Sequence, residues 1–366
     1  MKSINYFPYA GRIVFKGGAM PQQLIFFITN RCNLRCKHCF YWESINKRYN
    51  ELNLDEIKKI SKSFRKLLSL YLTGGEPFLR DDIPDIVNTF YKNNKVRHIV
   101  IPTNGVLKSK ILKSLERILR FCKDAHVLVY ISLDGIGKHH DNIRGLKGCY
   151  NKAIDTFKSL KLLKNKYKNL NISFLITFST LNQDYIIEDY YYMKKNLKPD
   201  NIYLNLVRGD PKEPILKNIN FDIYTRLVNL ISNDLIKKNL AGHDKSFFHE
   251  LTTAINLETH AVIKEVVKQK KFQIPCYAGT LNAVLYPNGD VFPCEILNKK
   301  IGNIRDFGYD FKKLWFSNQA KLIREYIKKS KCFCTHECFI NNNLLFNYRI
   351  FPKLLTKSLI LKLKKK

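Results

Sequence analysis

The chain has 366 residues, of which 45% are hydrophobic, so it is longer than one average domain and can bury a large core. It has no apolar run of about 18 residues that would span a membrane and no N-terminal pattern of a secretory signal, so we expect a cytoplasmic protein. The net charge of +32 would attract polyanions, but its lysines are spread along the chain without a nucleic-acid-binding motif, and nucleic acid is not the expected partner.

The cysteines indicate metal binding rather than disulfide bonds. There are ten in the chain, and eight of them fall into two tight groups. In a chain of this length and in a reducing compartment, such groups are typical of metal sites. Cys122 and Cys149 stand alone in the sequence, and we expect both to be small buried side chains.

Residues 24–207 alternate short β-branched runs with longer amphipathic stretches. The predicted strands are Leu24–Thr29, Leu70–Thr73, Val96–Ile101, His126–Leu133, Asn171–Phe178 and Asn201–Val207. The helical patterns between them lie near Leu54–Leu68, Ile83–Asn93, Lys108–Phe121, Asn151–Asn165 and Asp184–Lys195. Six such units predict an α/β fold with a partial (β/α)6 TIM-like barrel, and a doubly wound open sheet is the alternative.

A second region follows residues 208–220, where glycine and prolines break the alternation and indicate a linker. Helical patterns come next at Phe221–Asn239 and Ser246–Lys270, then a hairpin turning at residues 287–290 and a helix near Phe311–Lys329. We therefore divide the chain into an N-terminal segment, a barrel domain, a linker with a helical region, a cysteine-rich α+β domain and a basic tail, at residues 1–23, 24–207, 208–275, 276–346 and 347–366.

The first cysteine group, Cys32, Cys36 and Cys39, follows directly on the first predicted strand. Three thiolates on one short loop can converge on a centre and leave a coordination position open, which suits catalysis. A structural zinc site completed by His38 or by a distant cysteine is the alternative. Parallel βα folds place their chemistry on loops at the carboxyl ends of strands, and this loop is at such an end.

The spacing Cys-x-x-x-Cys-x-x-Cys on such a loop resembles the signature of the radical S-adenosylmethionine (radical SAM) superfamily. The resemblance implies that Cys32, Cys36 and Cys39 are catalytic and bind a [4Fe–4S] cluster that chelates SAM. It also implies that one electron, from a donor such as ferredoxin or flavodoxin, cleaves SAM to a 5′-deoxyadenosyl radical. That radical would abstract hydrogen from a substrate.

Further motifs at strand ends support the resemblance. Gly74-Gly75-Glu76-Pro77 after the second strand resembles the family's GGEP motif, whose glycines allow close approach and whose oxygens accept from the SAM ammonium group. The other candidate SAM contacts follow the third and fourth strands, and they are Thr103, Asn104, Ser132, Asp134 and Arg144. Turn and helix-cap roles, or a solvated loop arginine, are the alternatives for these five.

The second cysteine group consists of Cys276, Cys294, Cys332, Cys334 and Cys338. On its own it is compatible with a zinc ribbon or an iron–sulfur site. The segments Cys276-Tyr277-Ala278-Gly279 and Pro287–Cys294 resemble the SPASM or twitch domains, which bind auxiliary [4Fe–4S] clusters. The resemblance implies one auxiliary cluster here, with Cys276, Cys294, Cys334 and Cys338 as ligands and Cys332 as a surplus sulfur.

Both ends of the chain carry patterns without a single interpretation. The tail from Phe351 to Lys366 alternates leucine and isoleucine with six lysines, which suits a helix docked on the body, contact with an anionic membrane surface, or a frayed end. The aromatic residues of the N-terminal segment, among them Tyr6 and Phe15, suit a lid or simple packing.

Three classes of function fit the whole sequence. The leading one is a radical SAM enzyme that oxidises or cross-links a peptide or a small-molecule metabolite, in which the auxiliary cluster accepts the remaining electron or binds the substrate. The second is a radical SAM enzyme that modifies RNA, which the positive charge would favour. The third is a zinc-stabilised binding protein without redox chemistry.

Overall fold

A computed structural model describes residues 20–242 and 247–363. The aromatic N-terminal residues Tyr6 and Phe15, and residues 364–366 of the basic tail, lie outside the described residues. None of the helices in those two ranges is long and apolar enough to cross a membrane.

The β-branched runs form strands of one sheet, which has nine members in the described residues. The strands, in chain order, are β1 Gln23–Thr29, β2 Ser69–Gly74, β3 His98–Thr103, β4 His126–Ser132, β5 Leu170–Phe178, β6 Ile202–Leu206, β7 Asn282–Leu285, β8 Asp290–Phe292 and β9 Gly302–Asn303. Strands β1 to β6 are parallel and lie side by side in sequence order. A doubly wound sheet would reverse its strand order at a switch point, so this order excludes the alternative and confirms the partial barrel.

Helices connect the strands, as the sequence predicts for parallel pairing. They are α1 Leu54–Ser63, α2 Ile83–Asn94, α3 Lys108–Phe121, α4 Lys138–Arg144, α5 Cys149–Lys166, α6 Ile186–Tyr192, α7 Phe221–Lys237, α8 Phe247–Gln269, α9 Phe311–Trp315, α10 Asn318–Lys329, α11 Glu337–Leu345 and α12 Phe351–Leu363. The predicted helix near Phe311–Lys329 is two helices, because the Ser317 hydroxyl accepts from the Ala320 N–H and starts α10 anew.

The cysteine-rich region is joined to the barrel through the sheet itself. Strand β7 pairs in parallel with β1, so that Gln23 lies beside Asn282 and Phe26 beside Leu285. Strands β8 and β9 continue outward in antiparallel pairing, after a turn in which Gly289 has a φ of +90°. Strand β1 is therefore an interior strand, and all seven of its residues are buried.

The tail helix α12 packs on the body of the protein against α8. Leu354 and Ser358 are fully buried on its inner side. Lys353 and Lys357 pair with Glu258 of α8 at 2.7 and 3.3 Å. Docking on the body, one of the three expectations for the tail, is therefore the arrangement that the described residues adopt.

Candidate active site

Two asparagine side chains hold the loop that carries the first cysteine group. Asn30, directly after β1, donates to the carbonyl oxygens of Ser44 at 2.9 Å and Lys47 at 2.6 Å. The Asn46 Oδ1 accepts from the Cys32 N–H at 2.9 Å, and its Nδ2 donates to the Cys32 carbonyl at 3.1 Å. Asn46 has a φ of +59°, which asparagine tolerates better than most residues. These bonds fix Cys32 relative to the barrel.

The thiols of Cys32, Cys36 and Cys39 all face one cavity inside the barrel. Burial, together with repulsion from Cys36, raises the pKa of Cys32 to about 12 and that of Cys39 to about 11. Neutral thiols are therefore the stable form of these two side chains at pH 7 in the absence of a cation. A metal centre would reverse this preference, because it binds the thiolate.

Gly74 and Gly75 are required by the packing of the cysteine loop on β2. A Cβ atom on Gly75 would lie 2.1 Å from the Arg31 carbonyl oxygen, and one on Gly74 would lie 2.1 Å from the Thr29 carbonyl oxygen. Both contacts are with backbone and leave no room for a side chain. In the structure, Gly74 and Gly75 therefore pack against the cysteine loop. A contact between these two glycines and SAM stays a prediction.

Glu76 links the end of β2 to the end of β3. Its side chain is buried and accepts from the Thr103 hydroxyl and the Asn104 N–H, both at 2.8 Å, and from the Phe78 N–H at 3.2 Å. Burial raises its pKa to about 7 against the opposing effect of these bonds. The Asn104 side chain in turn donates to the Asn33 Oδ1 at 2.8 Å. The predicted SAM contacts Glu76, Thr103 and Asn104 therefore form one bonded unit with the cysteine loop.

A buried ion pair places a cation beside the first cysteine group. The Arg144 Nη2 lies 2.6 Å from the Asp134 Oδ2, and its Nη1 donates to the Cys36 Sγ at 3.7 Å. Burial alone would raise the pKa of Asp134, but Arg144 and His38 hold it below its usual value. The Asp134 side chain also accepts from the Thr177 N–H at 2.8 Å and does not line the cavity. Asp134 is therefore placed to position Arg144.

The cavity has a volume of about 670 Å³ and reaches from the first cysteine group to the second. The sequence-predicted residues that line it are Cys32, Cys36, Cys39, Gly74, Gly75, Glu76, Thr103, Asn104, Ser132, Arg144 and Cys338. Pro77 and Asp134 are not among its lining residues. Three phenols, from Tyr71, Tyr130 and Tyr203 on β2, β4 and β6, line the cavity as well.

The second cysteine group divides between two positions. The Cys332 thiol hydrogen-bonds the Cys276 sulfur and so lowers the pKa of Cys276. Cys294 and Cys334 lie close enough to Cys276 for charge on one to affect the next. Cys338 instead lines the cavity and hydrogen-bonds the Tyr71 hydroxyl, and burial raises its pKa to about 12. The structure thus places Cys332 beside a predicted ligand, and the four auxiliary ligands Cys276, Cys294, Cys334 and Cys338 all stay predictions.

An ionic network that sequence reasoning missed lies between β6 and the second cysteine group. The Arg208 Nη1 is 2.9 Å from the Glu337 Oε2 and its Nη2 is 3.5 Å from the Glu295 Oε2. Glu295 also pairs with His336, and the Glu337 Oε1 accepts from the Leu206 N–H at 3.0 Å. Burial raises the pKa of Glu337 to about 7.

One feature of the sequence could have indicated this network, because three of its members lie near cysteines of the second group. Glu295 follows Cys294, and His336 and Glu337 lie between Cys334 and Cys338. Arg208 lay in the predicted linker, where nothing marks a buried ion pair.

The residues present fit iron–sulfur clusters by their donor chemistry. Both groups offer cysteine thiols, which are the ligands that such clusters prefer. The first group has three thiols on one loop, faces a cavity and lies beside Arg144, whose buried Nε has no hydrogen-bond partner among the described residues. Across residues 20–242 and 247–363, no three His, Cys, Asp or Glu side chains converge closely enough to hold a single metal ion.

Comparison with known proteins finds a family model around each of the two cysteine groups. Residues 26–190 match the model of the radical SAM superfamily, and residues 276–339 match that of an iron–sulfur cluster-binding domain named SPASM. The two matches contain the first cysteine group and the second, respectively.

Individual relatives match over much of the chain. The antilisterial bacteriocin subtilosin biosynthesis protein AlbA of Bacillus subtilis is 27% identical over 86% of this chain and 65% of its own length. A probable GTP 3′,8-cyclase of Methanococcus maripaludis is 31% identical over 54% of this chain and 61% of its own. The chain thus spans less than two thirds of the length of either curated relative.

Solved structures share the fold. SuiB of Streptococcus suis, bound to the precursor peptide SuiA, superimposes with a TM-score of 0.60 at 19% identity, covering 83% of this chain and 66% of SuiB. Its complex with S-adenosylmethionine gives a TM-score of 0.59 at 20% identity, over 84% of this chain and 68% of SuiB. The zinc alternatives are therefore wrong. The cofactors of this chain are a [4Fe–4S] cluster, S-adenosylmethionine and auxiliary iron–sulfur. The chain belongs to the radical SAM superfamily and is an enzyme with a C-terminal SPASM-type domain.

Proposed function

We propose that this enzyme abstracts hydrogen from a peptide bound in the cavity between its two cysteine groups. The observation that carries the proposal is that one cavity is lined by Cys32, Cys36 and Cys39 at one end and by Cys338 at the other. A substrate in that space would contact both cofactor sites at once.

The walls of the cavity suit a peptide side chain. Its lining includes Phe27, Phe40 and the three phenols of Tyr71, Tyr130 and Tyr203, which combine apolar rings with hydrogen-bonding hydroxyls. A cavity of about 670 Å³ has room for a few residues of a peptide but not for a folded domain. Charged side chains, among them Arg208 and Glu337, line the cavity too and would offer partners for the polar groups of a peptide.

The relatives favour a peptide over other substrates. The bacteriocin biosynthesis protein aligns with 86% of this chain, and the structure of SuiB holds a precursor peptide. The GTP cyclase aligns with 54% of the chain. A match over 86% of the chain must reach into the second cysteine group, and this one is with a protein named for the biosynthesis of a bacteriocin.

We assign the chain's own residues to four tasks. Cys32, Cys36 and Cys39 hold the cluster, and Arg144 keeps a positive charge beside it. The segment from Gly74 to Glu76, with Thr103, Asn104 and Ser132, holds SAM. The second cysteine group holds the auxiliary cluster, with Cys276, Cys294 and Cys334 among its ligands. When bound, the cluster and SAM supply the radical that removes a substrate hydrogen atom.

The proposed oxidation balances in atoms and electrons. The substrate loses one hydrogen atom, which ends in 5′-deoxyadenosine, and then one electron and one proton. An oxidised auxiliary cluster held by the second cysteine group would supply the acceptor for the electron, and solvent would take the proton. The peptide product is two hydrogen atoms lighter for each bond formed. The proposal places this reaction in the reducing cytoplasm, where the ten cysteines would stay free of disulfides.

The test is an anaerobic screen of the cluster-loaded protein with SAM and a limiting reductant. Parallel reactions receive a synthetic peptide library, an RNA pool or a mixture of nucleotides, and 5′-deoxyadenosine is quantified in each. We expect the peptides to stimulate its formation and a subset of them to lose two hydrogen atoms by mass spectrometry. Tyr130→Ala, which enlarges the cavity without touching a cysteine, should change which peptides react.

RNA or nucleotides that stimulate 5′-deoxyadenosine formation while the peptides have no effect would contradict the proposal. A Tyr130→Ala variant with an unchanged peptide preference would show that the substrate does not occupy this cavity.

A further inference from the structure

The tail helix α12 has apolar side chains on the side that is open to solvent. Its inner side, with Leu354 and Ser358 buried, packs on the body of the protein. Leu359, Ile360 and Leu363 are 50%, 46% and 69% exposed. Because a helix turns by about 100° per residue, these three side chains fall within an arc of about 100° on the opposite side. We call Leu359, Ile360 and Leu363 the outer face of α12.

The residues that share this side of the helix can lose their contact with water at little cost. Thr356 falls in the middle of the arc, and its hydroxyl donates to the Pro352 carbonyl oxygen at 3.2 Å. Pro352 is itself exposed and has no N–H to satisfy. A hydroxyl that is already bonded within its helix does not need a partner from water. The outer side of α12 is therefore suited to an apolar environment.

Lysines flank the outer face, and the segment around it has no acidic residue. Lys353 and Lys362 are exposed and lie on opposite sides of the arc. Residues 347–366 contain six lysines and one arginine but no Asp or Glu. Among the ion pairs of the described residues, this segment contributes those of Lys353 and Lys357 with Glu258 of α8. The side of α12 that faces solvent is thus apolar in the middle and cationic at its margins.

This combination of charge and apolar surface selects one occupant. A second copy of the chain would bring the same positive charge to the same face, which opposes self-association. A helix of 13 residues is too short to span a bilayer. A helix whose apolar side chains lie between lysines is typical of helices that rest in the surface of an anionic bilayer.

We propose that α12 docks the enzyme on an anionic lipid surface, with Leu359, Ile360 and Leu363 at the boundary between headgroups and acyl chains. The lysines at the margins lie among the lipid phosphates. The strength of such a contact depends on both the buried apolar area and the charge of the lipid. None of the described residues after Asn341 lines the substrate cavity, so the contact does not involve that cavity and holds whatever the substrate.

The test is co-sedimentation of the cluster-loaded protein with vesicles under anaerobic conditions. At low ionic strength, vesicles of about one third phosphatidylglycerol and two thirds phosphatidylcholine should bind it at least about tenfold more tightly than phosphatidylcholine alone. Added salt should reduce this difference, because it screens the charges. Leu359→Gln with Leu363→Gln should weaken binding to the anionic vesicles roughly tenfold, since less apolar area is buried. Lys362→Glu should weaken it by a similar factor.

Matched controls place the same substitutions elsewhere on the surface. Leu162→Gln with Leu322→Gln changes two leucines of α5 and α10 that are 72% and 60% exposed. Lys123→Glu reverses an exposed charge between α3 and β4. Both controls should bind the anionic vesicles within about twofold of the unmodified protein, because these side chains lie outside the contact. Normal 5′-deoxyadenosine formation without vesicles would show that each variant is folded.

Unchanged vesicle binding by Leu359→Gln with Leu363→Gln would overturn the proposal. Equal losses in the α12 variants and the controls would overturn it too, because the net charge of the protein would then explain the binding. Equally tight binding to phosphatidylcholine alone would exclude recognition of an anionic surface. Sedimentation equilibrium without vesicles tests the remaining occupant. A dimer that the double leucine variant dissociates, in a protein that binds no vesicles, would assign the outer face to a second copy.

Discussion

Glu76 combines a buried carboxylate with contacts to the residues that flank the first cysteine group. Its pKa of about 7 means that about half of the Glu76 side chains carry a proton near neutral pH. The SAM ammonium group would favour the ionised form, because it places a positive charge beside the carboxylate.

We therefore expect SAM to bind more tightly as the pH rises from about 6 to about 8, since below the pKa of Glu76 a proton must leave first. Calorimetry in two buffers of different ionisation enthalpy should show proton release on SAM binding below pH 7. Glu76→Gln should remove the pH dependence and, with it, a charge-assisted bond worth about 1.5–3 kcal/mol. Thr103→Val, which removes one partner of Glu76 but not its charge, should keep the pH dependence. The same pH profile in Glu76→Gln would assign the proton to another group.

At the scale of secondary-structure elements, Arg208 joins the end of β6 to the segment that begins α11. Its side chain and those of Glu295 and Glu337 are 14%, 6% and 11% exposed, so water screens the network little. Removing the cation would leave Glu295 with His336 as its remaining ionic partner and Glu337 with only the Leu206 N–H, both in buried positions.

Arg208→Met should lower the free energy of unfolding by about 3–5 kcal/mol, the usual cost of leaving a buried charge without its partner. Lys108→Met is the control, because it breaks an exposed ion pair with Asp155, and its cost should stay below about 1 kcal/mol. Urea unfolding of the cluster-loaded protein under anaerobic conditions measures both values. If the two substitutions cost the same, the network around Arg208 does not stabilise the fold.

The bounds of the strands and helices show how much of the fold the sequence could predict. Periodicity predicted the six barrel strands because each strand carries its own β-branched pattern, and the ends of α3 matched the prediction to the residue. The helix predicted to run to Leu68 ends at Ser63, because Phe64 is extended and Leu67 and Leu68 are buried in the link to β2 instead. Apolar residues alone do not distinguish these two conformations.

The same limit applies to the site. The cysteine loop and its neighbours at strand ends were predicted because each motif is local in sequence. The role of Arg208 was not predicted, because its partners Glu295 and Glu337 lie 87 and 129 residues further along the chain. The division of the second group, with Cys338 toward the cavity and Cys332 beside Cys276, depends likewise on how α11 packs. Domain bounds and individual site residues stay predictions.

At the scale of the whole molecule, the two cysteine groups should bind their clusters independently. Cys32→Ala should abolish 5′-deoxyadenosine formation and retain about four irons in the auxiliary site, whereas Cys294→Ala should retain about four irons in the first site. Formation of 5′-deoxyadenosine should persist in Cys294→Ala, while peptide product falls much further because the electron loses its acceptor. Iron analysis and both products, measured on folded variants, provide the test. Loss of all iron in either variant would show that the sites assemble together.

The pairing of β1 with β7 also has a consequence for how the chain is made. Gln23 leaves the ribosome about 260 residues before its partner Asn282, a delay on the order of 10–50 s at ordinary synthesis rates. During that interval one edge of a strand with five consecutive apolar residues, Leu24–Ile28, has no neighbour, and such an edge invites pairing with other chains. A nascent chain stalled before residue 276 should therefore depend on a chaperone and aggregate without one.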